Sequence, residues 1–265
     1  MMIQRFKPQY DVNELMRVGS SSDGGYVLPK KIYSFSKLNI HALGVGFEYA
    51  FEEDIIKNSK TSKIYMYDYS CGFKNTLNEI IKSISKLNLI NSLKIIYRYL
   101  MFKFFLIKNK KNVNFESVFI TNKDNENEKT LDYVINRIEN SSDDNLNLLK
   151  IDIERGEYLI LNDKNIASLS KKSDAVVIEI HGLITHQKKI EIILENFKSE
   201  GFFIGHFHNN NYTPYHKKFG MNNCFEITLL HKRKFKITDQ DNISYPLVGL
   251  DFPCCSDKDE IAFKF

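Results

Sequence analysis

The stretch LLKIDIERGEY, residues 148–158, decides the fold of this 265-residue chain. Its first half is a short, mostly apolar run, which is typical of a strand buried on both faces of a parallel sheet. Its second half carries acidic residues and a glycine at the point where a helix begins, namely Asp152, Glu154, Gly156 and Glu157. A buried strand that runs into acids and then a helix indicates an α/β domain with a ligand site at the carboxyl end of the strand.

Further strands and helices alternate on both sides of this stretch. Apolar or alternating runs predict strands at 39–44, 63–68, 115–120, 146–152, 175–180, 202–206 and 225–231. Helical spacing of apolar residues predicts helices at 51–58, 130–138, 156–169 and 187–199. This order predicts a mostly parallel sheet with helices on both faces, and ligands bind such sheets at the carboxyl ends of the strands.

The composition excludes several other classes of protein. With 43% hydrophobic and 26% charged residues, the chain can bury a core and is not a disordered chain. The 37 Lys and Arg against 33 Asp and Glu give no reason to expect nucleic-acid binding. No apolar run reaches about 18 residues and no signal peptide is evident, so we expect neither a membrane span nor secretion. The four cysteines lack CxxC spacing, which favours a reducing, cytoplasmic setting without a zinc site.

We expect a single domain over residues 1–265, with an N-terminal segment, 1–36, and a helical insertion, 73–111. The insertion is apolar and basic, and it is longer than one connecting helix needs. It is predicted to pack on the core or against a second subunit, which suggests a homodimer. A basic amphipathic helix on a membrane surface and a lid over the substrate are the alternatives.

A glycine turn and an acid predict a nucleoside site. Gly44 and Gly46 follow the first strand, where glycines let a ligand approach the backbone. Asp68 ends the next strand, where a carboxylate can accept both hydroxyls of a ribose. Tyr49 replaces the third glycine of G-x-G-x-x-G, so the pattern favours an adenosine-type ligand without a pyrophosphate. A structural turn and a capping role for Asp68 are the alternatives.

A second glycine turn lies near the N-terminus, in the segment Asp23, Gly24, Gly25 and Tyr26. Two consecutive glycines allow positive φ angles and expose backbone amides. We expect this turn to fold over the cofactor pocket, although an ordinary hairpin turn would have the same sequence.

Two acids and a histidine are expected to meet at the strand ends. Alternation places Glu179 and His181 on the same side of the fifth strand, and Asp152 lies beside them if strands four and five are neighbours. A histidine held by a carboxylate can act as a general base, so we expect His181 to be the base and Asp152 its partner. A structural histidine is the alternative, and these three residues would also suit a divalent cation.

A polar loop follows the sixth strand. We expect it to bind hydroxyl groups of the substrate together with Glu179, through His206, His208, Asn209 and Asn210. A structural loop is one alternative. A metal site is another, since the two histidines share a strand face.

The central stretch resembles the signature of the FkbM-type family of S-adenosylmethionine-dependent methyltransferases. That signature is a strand followed by K-I-D-x-E-G-x-E, and the chain matches it at Lys150, Ile151, Asp152, Glu154, Gly156 and Glu157. The chain departs from the pattern at Arg155, which is inserted before the glycine. The Asp-Gly-Gly-Tyr-Val turn is also similar to a segment of some members, and the resemblance covers roughly residues 17–231.

The resemblance implies a class I methyltransferase fold, with a seven-stranded sheet whose last strand is antiparallel, and S-adenosylmethionine as the cofactor. It implies that Gly44 and Gly46 approach the amino-acid part of the cofactor. Glu48 would meet the cofactor's amino group, and Asp68 would bind its ribose. Since relatives often modify glycans, it also implies an O-methyltransferase for a sugar or sugar-nucleotide hydroxyl, such as one in a surface polysaccharide.

Two other functions stay open. A nicotinamide-dependent enzyme acting on sugar nucleotides would use a similar scaffold, but the third glycine and a Tyr-x-x-x-Lys pair after the fourth strand are missing. A non-catalytic binding protein is the third hypothesis. The charges gathered at adjacent strand ends argue against it, because idle buried charges are costly.

Overall fold

The computed structural model describes residues 2–238 and 243–265. In this part of the chain the strands are β1 (Leu15–Gly19), β2 (Gly25–Pro29), β3 (Lys37–Leu43), β4 (Lys63–Tyr67), β5 (Val113–Glu116), β6 (Phe119–Thr121), β7 (Glu128–Thr130), β8 (Asn145–Ile151), β9 (Ala175–His181), β10 (Phe202–His208), β11 (Tyr215–His216), β12 (Met221–Asn222), β13 (Cys224–His231), β14 (Ser244–Tyr245) and β15 (Phe263–Lys264). The α-helices are α1 (Ala50–Asn58), α2 (Phe73–Ser85), α3 (Leu89–Lys108), α4 (Leu131–Arg137), α5 (Glu157–Ile160), α6 (Asp163–Ser170) and α7 (Leu183–Ser199). Short 3₁₀ helices cover Met2–Phe6, Val12–Glu14 and Lys30–Ser34.

Seven strands form one mixed sheet in the order β10-β13-β9-β8-β3-β4-β5. Neighbours from β9 to β5 are parallel, whereas β13 is antiparallel to both β9 and β10. The predicted seven-stranded α/β sheet with an antiparallel last strand is therefore confirmed. The order reverses at β3 and β8, and a ligand is expected at the carboxyl ends of these two strands.

The third predicted strand differs from the structure. The prediction ran from 115 to 120, but β5 ends at Glu116 and β6 pairs with β7 in a separate two-stranded sheet. The backbone N–H of Val118 donates to the carbonyl oxygen of Glu116 at 3.0 Å, and this tight turn takes the chain out of the main sheet. The apolar run is therefore interrupted by a turn that its composition does not reveal.

The sheet is covered on both faces, which explains why β8 is buried along its whole length. One face packs against α4, α6 and α7 through a large apolar cluster. The other packs against α1, α3 and the β1–β2 hairpin. The hairpin is tied to the sheet because Thr228 Oγ1 donates to the carbonyl oxygen of Val27 at 2.7 Å. It thereby brings the turn at Asp23 towards the strand ends.

The described C-terminal segment, residues 243–265, covers the end of β10. The rings of Phe263 and Phe265 each lie 5.7 Å from the ring of Phe207. Asn211 Nδ2 donates to the carbonyl oxygen of Cys255 at 3.0 Å. This segment encloses the polar residues that follow β10.

Candidate functional site

A cavity of about 380 Å³ opens at the carboxyl ends of β3, β4 and β8. Its volume is within the range of about 300–1,000 Å³ that is usual for ligand pockets. Among the predicted site residues, those on its wall are Asp23, Gly24, Gly44, Gly46, Glu48, Asp68 and Asp152. The predicted residues that are described but do not form part of this wall are Gly25, Tyr26, Glu179, His181, His206, His208, Asn209 and Asn210.

Strand register brings the candidate side chains into one row across the sheet. Glu226 of β13 stands opposite Glu179 on one side and His208 on the other. Ile151 is the register partner of Leu43 and of Ile178, so the residues that follow these three also lie side by side. The row runs through Asp68, Gly44, Asp152, Glu179, Glu226 and His208.

The two glycines after β3 have different structural roles. Gly44 has φ +74°, and a Cβ atom there would lie 1.6 Å from the carbonyl oxygen of Asp152. Only glycine permits this approach of the two strand ends. Gly46 has φ +63°, but a Cβ atom there would meet nothing within 4 Å. Its open side faces the cavity, where a ligand can approach the backbone.

Asp68 holds this turn. Its Oδ2 accepts hydrogen bonds from the N–H groups of Val45 and Gly46, both at 2.7 Å. Its Oδ1 accepts from the N–H of Ser70 at 2.6 Å and from the Ser70 hydroxyl at 2.5 Å. A carboxylate has about four acceptor sites, so the protein itself satisfies Asp68. The carboxylate oxygens of Asp68 that cap the turn are thus the same atoms that are predicted to bind the ribose hydroxyls.

Glu48, Gly25 and Tyr26, which were predicted to bind the cofactor, all have close contacts within the protein. Glu48 pairs with Arg98 of α3. Gly25 leaves no room for a side chain, because a Cβ atom would lie 2.0 Å from the carbonyl oxygen of Ser20. Tyr26 is buried, and its hydroxyl donates to Asp152 Oδ2 at 3.3 Å. The hairpin turn therefore supports the cavity through Tyr26 and closes its edge with Asp23 and Gly24.

Behind the cavity lies a buried ion pair that sequence reasoning missed. Lys150 Nζ is 3.6 Å from Glu52 Oε1, and both side chains are almost completely buried. The same ammonium group lies 5.3 Å from the centre of the Tyr26 ring. A lysine inside an apolar strand indicates that a buried acid pairs with it. The partner, however, comes from α1, and the sequence does not indicate which acid of that helix faces the sheet.

His181 is surrounded by carboxylates. Its Nδ1 lies 3.3 Å from Glu157 Oε1, and its Nε2 lies 3.5 Å from both Glu154 Oε2 and Glu179 Oε1. Burial alone would lower the pKa of His181, but the hydrogen bond with Glu157 and the charges of Glu179, Glu157 and Glu154 raise the pKa to about 9. The imidazole is therefore protonated at neutral pH, whereas the sequence-based mechanism requires a neutral ring.

The two acids beside His181 are held in a low-dielectric site. Burial raises the pKa of Asp152 to about 6, although the charges of Lys150 and His181 lower it. Burial, then the Asp152 and Glu226 carboxylates, raise the pKa of Glu179 well above its ordinary value. Asp152 faces the cavity, and with a pKa of about 6 it is mostly ionised at neutral pH.

Groups of possible metal ligands occur along the same row. In each group of the described residues the ligand atoms lie within 4.8 Å of one another, and the groups are Glu179, His181 and Cys224; His208, Glu226 and Cys254; Asp152, Glu154 and His181; and Asp23, Glu179 and Glu226. The predicted set Asp152, Glu179 and His181 is divided between two of them. Cys224 was missed because only strand pairing brings it opposite His181.

The polar loop after β10 lies beneath the C-terminal segment. His206 and His208 are each 2% exposed, and His208 Nε2 lies 2.7 Å from Glu260 Oε1. Asn210 Nδ2 donates to Glu179 Oε1 at 3.0 Å, and Asn209 Oδ1 accepts from the N–H of Asn222 at 2.7 Å. These contacts are internal, so substrate binding by this loop stays a prediction.

The departure from the signature coincides with unusual backbone geometry. Glu154 and Arg155 have φ angles of +50° and +75°, although neither is glycine. Left-handed conformations at such residues cost about 1–3 kcal/mol each and cluster at functional sites. The sharp turn directs Glu154 towards His181 before α5 begins.

Comparison with known families identifies the kind of domain. A family model described as a methyltransferase domain matches residues 1–231. It supports S-adenosylmethionine as the cofactor and does not address the FkbM-type subgroup. A search of curated proteins gives no match to the chain.

Solved structures show distant similarity. Precorrin-6y C5,15-methyltransferase from Geobacter metallireducens is 14% identical over 76% of this chain and 84% of its own, with a TM-score of 0.40. Spermidine synthase from Thermotoga maritima is 7% identical over 77% of this chain and 58% of its own, with a TM-score of 0.42. M. jannaschii TYW2 in complex with AdoMet is 13% identical over 76% of this chain and 74% of its own, with a TM-score of 0.35. The family match, not these likenesses, assigns the domain.

Proposed function

Because the chain belongs to the methyltransferase-domain family, we propose that it is an S-adenosylmethionine-dependent O-methyltransferase acting on a hydroxyl of a sugar or sugar nucleotide. The observation that carries the proposal is the position of Asp152. It directly follows the central strand β8, faces the cavity and accepts a hydrogen bond from Tyr26. A hydroxyl must lose its proton as it takes up a methyl group, and a carboxylate at this place can receive that proton.

The cavity suits the cofactor. Gly46 leaves open space at its backbone, where the amino-acid part of the cofactor would lie. Asp68 would accept the ribose hydroxyls in exchange for some of its present donors, and Glu48 would accept the amino group in exchange for Arg98. When bound, S-adenosylmethionine supplies an electrophilic methyl group.

Asp152 and His181 are proposed to have different roles in the transfer. We assign proton acceptance to Asp152 rather than to His181, because Asp152 faces the cavity and is mostly ionised at neutral pH. His181, as an imidazolium, stabilises the ionised form of Asp152, since its charge lowers the pKa of that carboxyl. Alignment of the acceptor oxygen with the methyl group supplies a further large part of the rate.

The acidic residues at the strand ends also limit which groups of the acceptor can lie in the cavity. Neutral hydroxyl groups can donate to Asp152, Glu154 and Asp23, whereas a phosphate placed among these residues would be repelled. We therefore propose that the sugar ring faces the row and that any phosphate groups of the acceptor lie outside the cavity.

A transfer assay tests the proposal. The protein is incubated with S-adenosylmethionine carrying an isotopically labelled methyl group and a panel of sugars and sugar nucleotides, and products are analysed by mass spectrometry. We expect labelled methyl on a hydroxyl of at least one acceptor. Calorimetric binding of NAD without binding of S-adenosylmethionine would instead support the nicotinamide hypothesis. Cofactor binding with transfer only to non-hydroxyl acceptors would overturn the O-methyltransferase assignment.

A further inference from the structure

The helices α2 and α3 carry an apolar surface that the described residues, 2–238 and 243–265, do not cover. On α3, large apolar side chains follow one another at spacings of four and three residues and are each between 59% and 68% exposed: Leu93, Tyr97, Leu100, Phe104 and Ile107. On α2, the exposed apolar residues are Phe73, Leu77, Ile81 and Ile84. The two stripes, with the basic residues around them, are called the α2–α3 surface below.

This surface is not the side of the helices that belongs to the core. The inner side of α3 is formed by Ser92, Phe102 and Phe105, which are buried. Phe102 and Phe105 pack in the same cluster as the strands of the central sheet. An amphipathic helix on a monomeric protein normally presents polar residues outwards. Here α3 has an apolar stripe on each side, so its outer stripe requires a partner.

The charge of the region indicates which partner. Between residues 73 and 111, a single acid, Glu79, stands against Lys74, Lys82, Lys86, Lys94, Arg98, Lys103, Lys108, Lys110 and Lys111. The formal charge of this segment is thus +8, compared with +4 for the whole chain. The rest of the molecule therefore has a formal charge of −4, so the excess positive charge of the chain lies in the segment that carries the exposed apolar stripes.

A second copy of the chain fits this surface poorly. α3 contains four basic residues, Lys94, Arg98, Lys103 and Lys108, and no acid. Two such helices placed side by side would bring like charges together without any opposite charge to pair with. An anionic lipid surface, by contrast, offers headgroups for the lysines and an acyl boundary for the apolar side chains.

We propose that the α2–α3 surface docks this protein on an anionic lipid bilayer, with the apolar stripes in the interface and the basic residues among the headgroups. The helices lie on the membrane and do not cross it. In the described residues, 2–238 and 243–265, no helix combines the length and the apolar character that a membrane span requires.

Docking would set the orientation of the cavity. α2 begins three residues after Ser70, which is on the cavity wall. Arg98 of α3 pairs with Glu48 on the cavity rim, and the ring of Phe102 lies 5.7 Å from that of Phe47. The proposed membrane surface and the rim of the cavity are therefore in contact, and the rim would lie near the headgroups.

Vesicle flotation of the purified full chain tests this proposal. Vesicles of phosphatidylcholine alone are compared with vesicles that also contain phosphatidylglycerol. We expect about tenfold or more stronger binding to the anionic vesicles, and weaker binding as the salt concentration rises. Equal binding to both kinds of vesicle, or none to either, overturns the proposal.

Two variants and two matched controls locate the surface. The combination Leu93→Ser, Tyr97→Ser and Phe104→Ser removes apolar contacts, and Lys94→Glu with Lys108→Glu reverses charges at exposed positions. The controls change exposed residues of α7, Ile184→Ser with Ile192→Ser, and Lys188→Glu with Lys189→Glu. We expect about tenfold loss of anionic-vesicle binding in each α3 variant and less than twofold change in each control.

Size-exclusion chromatography with light scattering accompanies the binding assay, and circular dichroism verifies that each variant is folded. A dimer that the α3 apolar variant dissociates, together with no binding to anionic vesicles, would show that a second copy covers the surface and would overturn the proposal. Vesicle binding lost equally in the α7 controls would overturn it as well. Because the readout is lipid binding, failure here leaves the methyl-transfer assay unaffected, and the reverse also holds.

Discussion

Asp152 and His181 belong to one network but have opposite electrostatic surroundings. His181 has three carboxylates within 3.5 Å of its ring nitrogens, so its proton is stabilised. Asp152 is half-buried, and its desolvation outweighs the charge of Lys150 and raises its pKa to about 6, so it ionises within about a unit of neutral pH. Efficient general bases have a pKa near the working pH, which favours Asp152.

The first prediction compares these two residues. Asp152→Asn is expected to lower kcat by about 10²–10⁴-fold, the usual range for loss of a general base. His181→Gln is expected to lower kcat by less than about tenfold, because it acts only through Asp152. The wild-type rate should rise with pH through about 6, since the deprotonated carboxyl is the active form. A rate that instead rises until about pH 9, with His181→Gln as damaging as Asp152→Asn, would assign the base to His181.

The second prediction concerns Asp68. Asp68→Ala removes the acceptor of two glycine-turn amides and the proposed acceptor of the ribose hydroxyls, so the Kd for S-adenosylmethionine should rise by about tenfold or more. Isothermal titration calorimetry measures the Kd. Asp124→Ala, a change at an exposed acid away from the cavity, serves as the control. An unchanged Kd for Asp68→Ala would refute the ribose assignment.

At the scale of the element, the β3–α1 turn shows how one sequence pattern serves two purposes. Gly44 is required by the approach of β3 to the end of β8, which is a matter of packing. Gly46 has the same left-handed conformation but open space around it, which suits a ligand. The G-x-G pattern by itself does not separate these purposes.

The third prediction separates them. Gly44→Ala should lower the free energy of unfolding by more than about 3 kcal/mol, because the new methyl group overlaps a carbonyl oxygen. Gly46→Ala should cost only about 1–2 kcal/mol from its positive φ, and should weaken cofactor binding about tenfold by filling the approach to the backbone. Thermal unfolding and calorimetry measure the two effects. Equal losses of stability in both variants would contradict this division.

Elements were predicted well wherever their pattern is local. The strands at 146–152 and 175–180 are mostly apolar runs, and both are confirmed within one residue of β8 and β9. The predicted helix at 156–169 is divided into α5 and α6, because the Asn162 side chain accepts from the N–H of Asn165 and starts a new helix. Such capping acts over a few atoms and leaves the apolar spacing almost unchanged.

At the scale of the whole molecule, a buried histidine links stability to pH. His41 lies in β3, 1% exposed and stacked on Tyr65 with ring centres 4.7 Å apart. Burial, with the nearby charges of Arg137 and Lys172, lowers the pKa of His41 to about 3. In the unfolded chain a histidine has a pKa of about 6.5. Between these values the unfolded state binds a proton that the folded state does not, so stability falls as the pH falls.

The fourth prediction follows from this difference. Lowering the pH from about 7.5 to about 5.5 should cost the wild type about 1.4 kcal/mol of unfolding free energy through His41. Urea unfolding of wild type and His41→Phe at both pH values measures the contribution. The variant should lose about 1.4 kcal/mol less than the wild type over this range, because phenylalanine binds no proton. Identical pH dependence in the two proteins would show that His41 titrates normally in the folded state.

The sequence by itself determined the α/β class, the seven strands of the main sheet apart from the bounds of the third, the glycine turn and the acids at the strand ends. These features depend on the period of apolar residues and on short motifs, which are local properties of the chain. Only the tertiary structure decided that Glu52 meets Lys150, that Cys224 stands opposite His181, and that the polar loop after β10 is enclosed. It also showed that, among the residues the structure describes, nothing covers the outer apolar stripe of the insertion. The physical reason is that strand register and burial join residues far apart in the chain, and these contacts, not the residue types, set the charge of His181 and the surroundings of Asp152.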